Sequence, residues 1–310
     1  MSGVSKAIVQ PLLSWYDAGH RDLPWRSEPA PYRVWVSEIM LQQTRVEAVR
    51  GYFSRWMNAL PDIPALAAAD EAVYTKLWEG LGYYSRVRNL HRAAVLLCEE
   101  YGGELPADYD RLLALPGVGE YTAGAVASIA FGLPVPAVDG NVLRVAARLD
   151  NDFTPITDAK FKKQTRERFA ALMPSDRPGD LNQSLMELGA TVCLPNGAPH
   201  CDDCPIQHLC EGFHRGNAAV LPLRAAKKAR RVENRTILVV RCGQLVGLRQ
   251  RPKKGLLAGL WELPSLDGHL SPDELRAALT EMGWSVRKLL SLRPAKHIFT
   301  HVEWHMTGWR

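Results

Sequence analysis

No stretch of this sequence is both long enough and apolar enough to cross a bilayer. A long run without charge, Thr122 to Val138, is interrupted by Pro134 and Pro136. A spanning helix needs about 20 consecutive apolar residues. The N-terminal stretch MSGVSKAIVQPLLSWYDAGH also lacks the basic–apolar–cleavage layout of a secretory leader. Ile8, Leu12, Trp15 and Tyr16 instead have the spacing of an amphipathic helix. The expectation is a cytoplasmic protein with no membrane partner. Internal repeats and low-complexity tracts are missing too, which leaves ordinary globular packing. Strand-like alternation is hard to find before residue 235, so the first two-thirds should be all-α. Neither charge sign dominates. The net charge is +5 and the pI about 8.9, which permits a polyanionic partner without requiring one.

Cysteine is scarce, and its distribution is uneven. Cys98 and Cys242 stand alone and read as inert thiols. The other four follow the pattern Cys193-x7-Cys201-x2-Cys204-x5-Cys210. Clustered thiols in a chain expected to be intracellular argue for a metal site rather than disulfides. Cysteine-only ligation suits tetrahedral zinc or a [4Fe–4S] cluster, and spacing alone does not choose.

The chain has 310 residues, 46% hydrophobic and 23% charged, enough for two or three domains with real cores. Its organising stretch runs from Leu115 to Val145. Arg111 to Leu115 ends one helix, and Pro116-Gly117-Val118-Gly119 cannot continue it. A second helix should run from Glu120 to about Phe131, with Ala123, Gly124, Ala127 and Ala130 small enough for close packing. The hairpin and the first helical turn offer N–H groups at the positive end of a dipole, which suits a phosphate. After the extended run Pro134-Val135-Pro136, Asp139 stands before Gly140-Asn141-Val142 as a natural helix N-cap.

Upstream, Glu38 is the only charge from Val34 to Gln43. A carboxylate on an apolar helix is desolvated, which favours its protonated form and suits a general acid. The competing reading pairs Glu38 with Arg45, seven residues on. Gly80-Leu81-Gly82-Tyr83-Tyr84 is a glycine-flanked apolar and aromatic loop of the kind that opens a base stack, or a helix end packed on the core. Further helices are expected near Asp158–Met173 and Asp180–Cys193, the second carrying Asn182, Gln183 and Glu187. Residues 224–235, RAAKKARRVENR, read as a basic linker. Thr236–Arg241 and Gln244–Arg249 then look like a β-hairpin, followed by a helix near Pro272–Met282.

LPGVGEYTA and VDGNVLRV, taken with SEIMLQQT, resemble the helix-hairpin-helix DNA glycosylases, and within them the adenine DNA glycosylases of MutY type. The resemblance covers nearly the whole chain. It implies an all-α helix-hairpin-helix domain with a cysteine-ligated cluster loop, then a smaller α+β Nudix-like domain that stops short of the usual length. The corresponding boundaries are 1–222 (hairpin motif about 109–131, cluster loop 193–210), a linker at 223–233, and 234–310.

The resemblance further implies a monofunctional enzyme, acting as a monomer, that removes adenine opposite 8-oxoguanine or guanine in double-stranded DNA. Glu38 would be the acid and Asp139 the cation-stabilising carboxylate, with Asn141 and Tyr121 orienting the site. Arg26 belongs to the substrate pocket. Gln43, Thr44, Leu81 and Tyr83 would enter or touch the duplex, Gly117 and Gly119 would form the phosphate hairpin, and Arg86 and Arg88 would lie near phosphates. Cys193, Cys201, Cys204 and Cys210 would hold a [4Fe–4S] cluster, with zinc the less favoured occupant. The first cysteine gap is one residue longer than the family's C-x6-C. Phe299-Thr300-His301 resembles the family's Phe-Ser-His loop that reads oxidised guanine. Along the Nudix box, Ala277 and Thr280 replace two of three glutamates and only Glu281 remains, so that domain should bind and not hydrolyse. The alternatives are an endonuclease III-like pyrimidine glycosylase with lyase activity and a catalytically silent helix-hairpin-helix DNA-binding protein. Relatives of the first kind carry a Schiff-base lysine where this chain has Tyr121.

Overall fold

The computed structural model describes residues 4–195, 197–224, 229–252 and 254–310. The chain forms two compact units, Met1–Ala225 and Ala226–Arg310. The helices of the first are α1 Val9–Gly19, α2 Pro31–Leu41, α3 Val46–Ala59, α4 Ile63–Ala67, α5 Glu71–Leu77, α6 Ser85–Tyr101, α7 Tyr109–Ala114, α8 Glu120–Phe131, α9 Gly140–Leu149, α10 Ala159–Ala170, α11 Pro178–Thr191 and α12 Glu211–His214. Their ends follow local chemistry. Pro31 and Pro178 open helices where a missing N–H costs nothing, the Asp108, Asp139 and Asp158 side chains cap α7, α9 and α10, and Gly132 closes α8 at φ 66°.

Two larger cores, with a small third around Leu143, Ala147 and Phe161, hold the unit together. One joins α2 to α6 with α8 around Trp35, Phe53, Trp56 and Trp78, the last pair edge-to-face with ring centroids 5.7 Å apart. The other packs α1, α9 and α11 through Leu12, Val145, Leu185 and Leu188. α8 touches both sides, since it packs on α2 and on α11. The small residues of α8 matter here. A side chain on Gly124 would strike the Pro136 carbonyl at 2.4 Å, so glycine lets the run before Asp139 lie directly on the helix. Asn182 of α11 fixes that run from the other side. Its Oδ1 accepts from Ala137 N at 2.9 Å, and its Nδ2 donates to Val135 O at 2.9 Å and to Ser128 Oγ at 2.7 Å.

In the second unit the strands are β1 Arg231–Leu238, β2 Arg241–Cys242, β3 Leu245–Val246, β4 Arg249–Gln250, β5 Trp261–Glu262, β6 Ser265–Asp267, β7 Ser291–Ile298 and β8 Val302–Trp309, with α13 at Pro272–Glu281. The main sheet has the order β6-β1-β8-β7, with β1 and β8 parallel and the other pairs antiparallel. This corrects the expected hairpin. Thr236 to Leu238 belong to β1 and pair with Thr307 to Trp309, so the hairpin shrinks to β2 and β3 around Gly243. Alternation marks a strand but does not name its partner. Leu275 and Leu279 of α13 pack on Leu238 in a small core, which places the depleted glutamate box on this helix. β1 starts at Arg231, inside the stretch read as linker, and residues 225–228 of that stretch lie outside the described residues.

Candidate active site

A cleft of about 550 Å³ opens between the two larger cores of the first unit. Its walls include Glu38 of α2, Tyr121 of α8, Asp139 and Asn141 at the start of α9, and Gln183, Met186 and Glu187 of α11. Glu38 and Tyr121 are 83 residues apart, yet the Tyr121 hydroxyl donates to Glu38 Oε2 at 2.5 Å. The expected alternative, a Glu38–Arg45 pair at the helix edge, does not form. Glu38 is 5% exposed. Burial lifts its pKa to about 7, the Tyr121 hydroxyl pulls it down, and the nearby Asp139 charge pushes it up again. The Tyr121 phenol is itself pushed well above 10, first by burial and then by Glu38, so it stays protonated.

Asp139 caps α9. Its Oδ1 accepts from Asn141 N at 2.9 Å and Val142 N at 2.8 Å, and its Oδ2 accepts from Asn141 Nδ2 at 2.6 Å. Burial raises its pKa against the pull of these donors. Asn141 is held in turn by Arg144, whose Nη2 donates to Asn141 Oδ1 at 2.8 Å and to Gly189 O at 2.7 Å, and whose Nε donates to Cys193 O at 2.8 Å. A continuous hydrogen-bonded path thus runs from Asp139 to the first cysteine of the cluster loop.

The cleft lining includes an ion triad built on one buried carboxylate. Glu187, 2% exposed, accepts from Arg21 Nε at 2.6 Å and Arg26 Nη2 at 2.8 Å. Burial opposes its charge, but these two arginines bring its pKa down to about 2. Arg26, expected in the substrate pocket, lines this cleft. Trp25 is buried, edge-to-face on Phe53, and Arg26 is turned inward to the triad. Gln183 and Glu187 were placed on α11 by sequence but given no role, and Gln42 and Arg21 were not singled out. The available signal was Gln183 and Glu187 one helical turn apart on α11.

The remaining site residues divide. Gln43 and Tyr83 are exposed, whereas Leu81 is 7% exposed and sits in the core. Thr44 is half-buried behind Gln43. Arg86, expected near phosphates, points its guanidinium inward, donating to the carbonyls of Ile39, Gln42 and Leu81. Arg88 pairs with Glu71 at 3.1 Å. In the hairpin, Gly117 has φ 77° and a side chain there would strike Asn89 Cβ at 2.6 Å, while Gly119 is extended at φ −98° and caps α8. In the second unit Phe299, Thr300 and His301 form the tip between β7 and β8. The Phe299 ring is half-buried on Trp304 (4.9 Å) and His297 (4.4 Å), with Thr300 and His301 exposed.

Cys193, Cys201, Cys204 and Cys210 line one cavity with Val145, Leu149 and Ile206. Burial pushes the Cys204 thiol up to about 12, so a thiolate there needs a cationic partner. The Arg148 guanidinium donates to Cys193 Sγ at 3.1 Å. Among the described residues, no three ligating side chains converge closely enough for a single ion. Four thiols around a shared apolar cavity are a donor set for a cysteine-ligated metal centre.

Residues 36–172 match the family described as HhH-GPD superfamily base excision DNA repair protein, and residues 236–310 match the NUDIX domain. The adenine DNA glycosylase of Mus musculus is 40% identical over 94% of this chain and 68% of its own length. That of Mycolicibacterium smegmatis is 41% identical over 74% of this chain and 79% of its own. Among solved structures, a thermostable thymine-DNA glycosylase aligns with TM-score 0.60 at 27% identity, over 68% of this chain and 96% of its own. A trapped endonuclease III–DNA covalent intermediate aligns at 0.57 and 25%, over 68% and 98%.

Proposed function

The chain belongs to the HhH-GPD superfamily and, within it, to the adenine DNA glycosylases, and on that premise we propose that it flips adenine out of a mispair with 8-oxoguanine or guanine in duplex DNA and hydrolyses its glycosidic bond. The observation that carries the reading is the pairing of two carboxyls in one cleft, one buried with its pKa near 7 and one held at a helix N-terminus. Adenine leaves only after a ring nitrogen is protonated. Glu38 supplies that proton. Its Oε2 accepts from Tyr121, which leaves Oε1 to carry the acidic hydrogen. As the bond to C1′ breaks, the sugar becomes oxocarbenium-like, and the Asp139 carboxylate stabilises it as in retaining glycosidases. Asn141 and Tyr121 hold the two carboxyls in place. Water adds to C1′, and the proton it sheds returns to the site.

Tyr121 also speaks against strand cleavage. A lyase needs an amine to form a Schiff base, and no lysine is among the cleft-lining residues. Excision should therefore leave an intact abasic strand that breaks only in alkali. Strand breakage before alkali would favour the endonuclease III-like reading, and untouched adenine would favour a silent DNA-binding protein.

The four cysteines would hold a [4Fe–4S] cluster, which supplies a rigid cross-link for the loop between α11 and α12; no step of the reaction runs through it. Purified protein should be brown and contain about four irons per chain. One zinc and no labile sulfide would reject this assignment.

Lesion reading is assigned to the tip at 299–301. 8-Oxoguanine differs from guanine by a carbonyl oxygen and a protonated ring nitrogen, and Thr300 and His301 can hydrogen-bond to either. One such contact is worth roughly 1–3 kcal/mol of discrimination. The comparison is adenine removal opposite 8-oxoguanine and opposite guanine, for the full chain, for residues 1–222 and for Phe299→Ala/His301→Ala. The preference should shrink in both altered proteins, with the guanine-opposed rate changing least. A full preference in both would move recognition to Gln43, Thr44 and Tyr83.

A further inference from the structure

Two exposed residues of the DNA-facing set hold a backbone conformation that side chains avoid. Gln43 has φ 58° and Tyr83 has φ 47°. Left-handed values are uncommon outside glycine, and they persist only where the surroundings hold them. Here one side chain touches both turns. Arg86 Nη1 donates to Gln42 O at 2.6 Å, the carbonyl just before Gln43. Arg86 Nη2 donates to Gly82 O at 3.3 Å, the carbonyl just before Tyr83, and to Leu81 O at 3.0 Å. Nη1 also takes Ile39 O at 2.8 Å and Met40 O at 3.1 Å, in the last turn of the helix that carries Glu38. Those carbonyls are the negative end of the α2 dipole. The guanidinium lies 5.2 Å from the Trp78 ring centroid and 5.6 Å from that of Tyr83.

We propose that Arg86 is a positioning residue for base extrusion, clamping the Gln42–Gln43 and Gly82–Tyr83 turns in register so that both side chains enter the base stack as one wedge. The inference rests on the glycosylase reading and deepens it. Both Nη atoms are committed to backbone carbonyls, so the charge serves the protein and not a phosphate. A planar fork is required. A lysine ammonium is a single point that cannot span two turns from one stem.

The test uses the full chain and Arg86→Lys, which keeps the charge and loses the fork. Single-turnover excision is measured on two substrates: adenine in the fully stacked mispaired duplex, and adenine in a bubble of unpaired bases that needs no wedge. Arg86→Lys should lose about 10²-fold on the duplex, the scale of a misplaced positioning group, and much less on the bubble. A 2-aminopurine beside the target should lose its fluorescence rise on binding, while the pH profile stays in place. Tyr83→Ala should cost less in the Arg86→Lys background than in the wild type, because the wedge is already out of register. The ratio of the two substrates is internal to each protein, so a smaller folded fraction lowers both rates alike. Equal losses on both substrates would overturn the proposal and leave a purely structural arginine. Unchanged excision with a shallower salt dependence of binding would overturn it in favour of a phosphate contact. A wild-type protein that leaves adenine in both substrates would instead bring down the glycosylase reading, and this inference with it.

Discussion

Asp139→Asn should abolish base excision while leaving duplex binding and the fold intact. The substitution separates charge from cap, at the cost of the bond from Asn141 Nδ2 to Oδ2. Asparagine is as good an N-cap as aspartate, so the bonds from Asn141 N and Val142 N to the cap oxygen survive and α9 keeps its start. What is lost is the negative charge facing a developing cation. Removing one preorganised electrostatic partner costs on the order of 10²–10³-fold, and losing a full charge beside an oxocarbenium should meet or exceed that range. The measurement is single-turnover adenine removal together with a duplex-binding titration. Near wild-type excision in the variant would remove Asp139 from the chemistry. Loss of binding as well would mean that the charge, and not the cap, organises the hairpin side of the cleft.

Glu38→Gln should also silence the reaction, by about 10²–10⁴-fold as expected for a lost general acid, and it should make the protein more stable above pH 7. The sign follows from the raised pKa. Unfolded, the carboxyl ionises near its ordinary value of 4.5; folded, it ionises near 7. Below 4.5 both states are protonated and nothing is lost. As pH rises from 4.5 to 7 the unfolded state sheds its proton first, so stability falls, and above 7 the full penalty, at most ~3 kcal/mol, is present. The amide variant escapes it. Its Tm should therefore exceed that of the wild type at pH 8 and match it near pH 4.5. In the active protein the same ionisation sets the alkaline limb of the rate profile near pH 7, because only protonated Glu38 can donate. The acid limb belongs to Asp139 and should lie above the ordinary aspartate range, since burial raises that group. Tyr121→Phe removes a bond that lowers the Glu38 pKa and should move the alkaline limb upward. A variant with unchanged pH dependence of Tm would mean that Glu38 is not desolvated.

The local devices were legible because each depends on neighbours in sequence. Pro116-Gly117 ends a helix whatever surrounds it, Asp139 before Gly140-Asn141 caps the next, and four cysteines within eighteen residues line one cavity. Glu38 stood out because a single charge on an apolar helix has no solvated face to use. What the tertiary structure decided was the partner of each group. Tyr121 meets Glu38 and Arg26 meets Glu187 across 83 and 161 residues, and no spacing rule reaches that far. Arg86 looked like a phosphate contact because a basic residue beside an exposed loop usually faces solvent. It turned inward, where the end of α2 and the Gly80–Tyr84 loop present five carbonyls to its guanidinium. β1 took β8 as its parallel neighbour instead of closing a hairpin, since pairing is settled by which surfaces must be buried together. Sequence determined where chain direction changes and which groups are chemically capable. Folding determined which of those groups lose their water, and with it their pKa and their role.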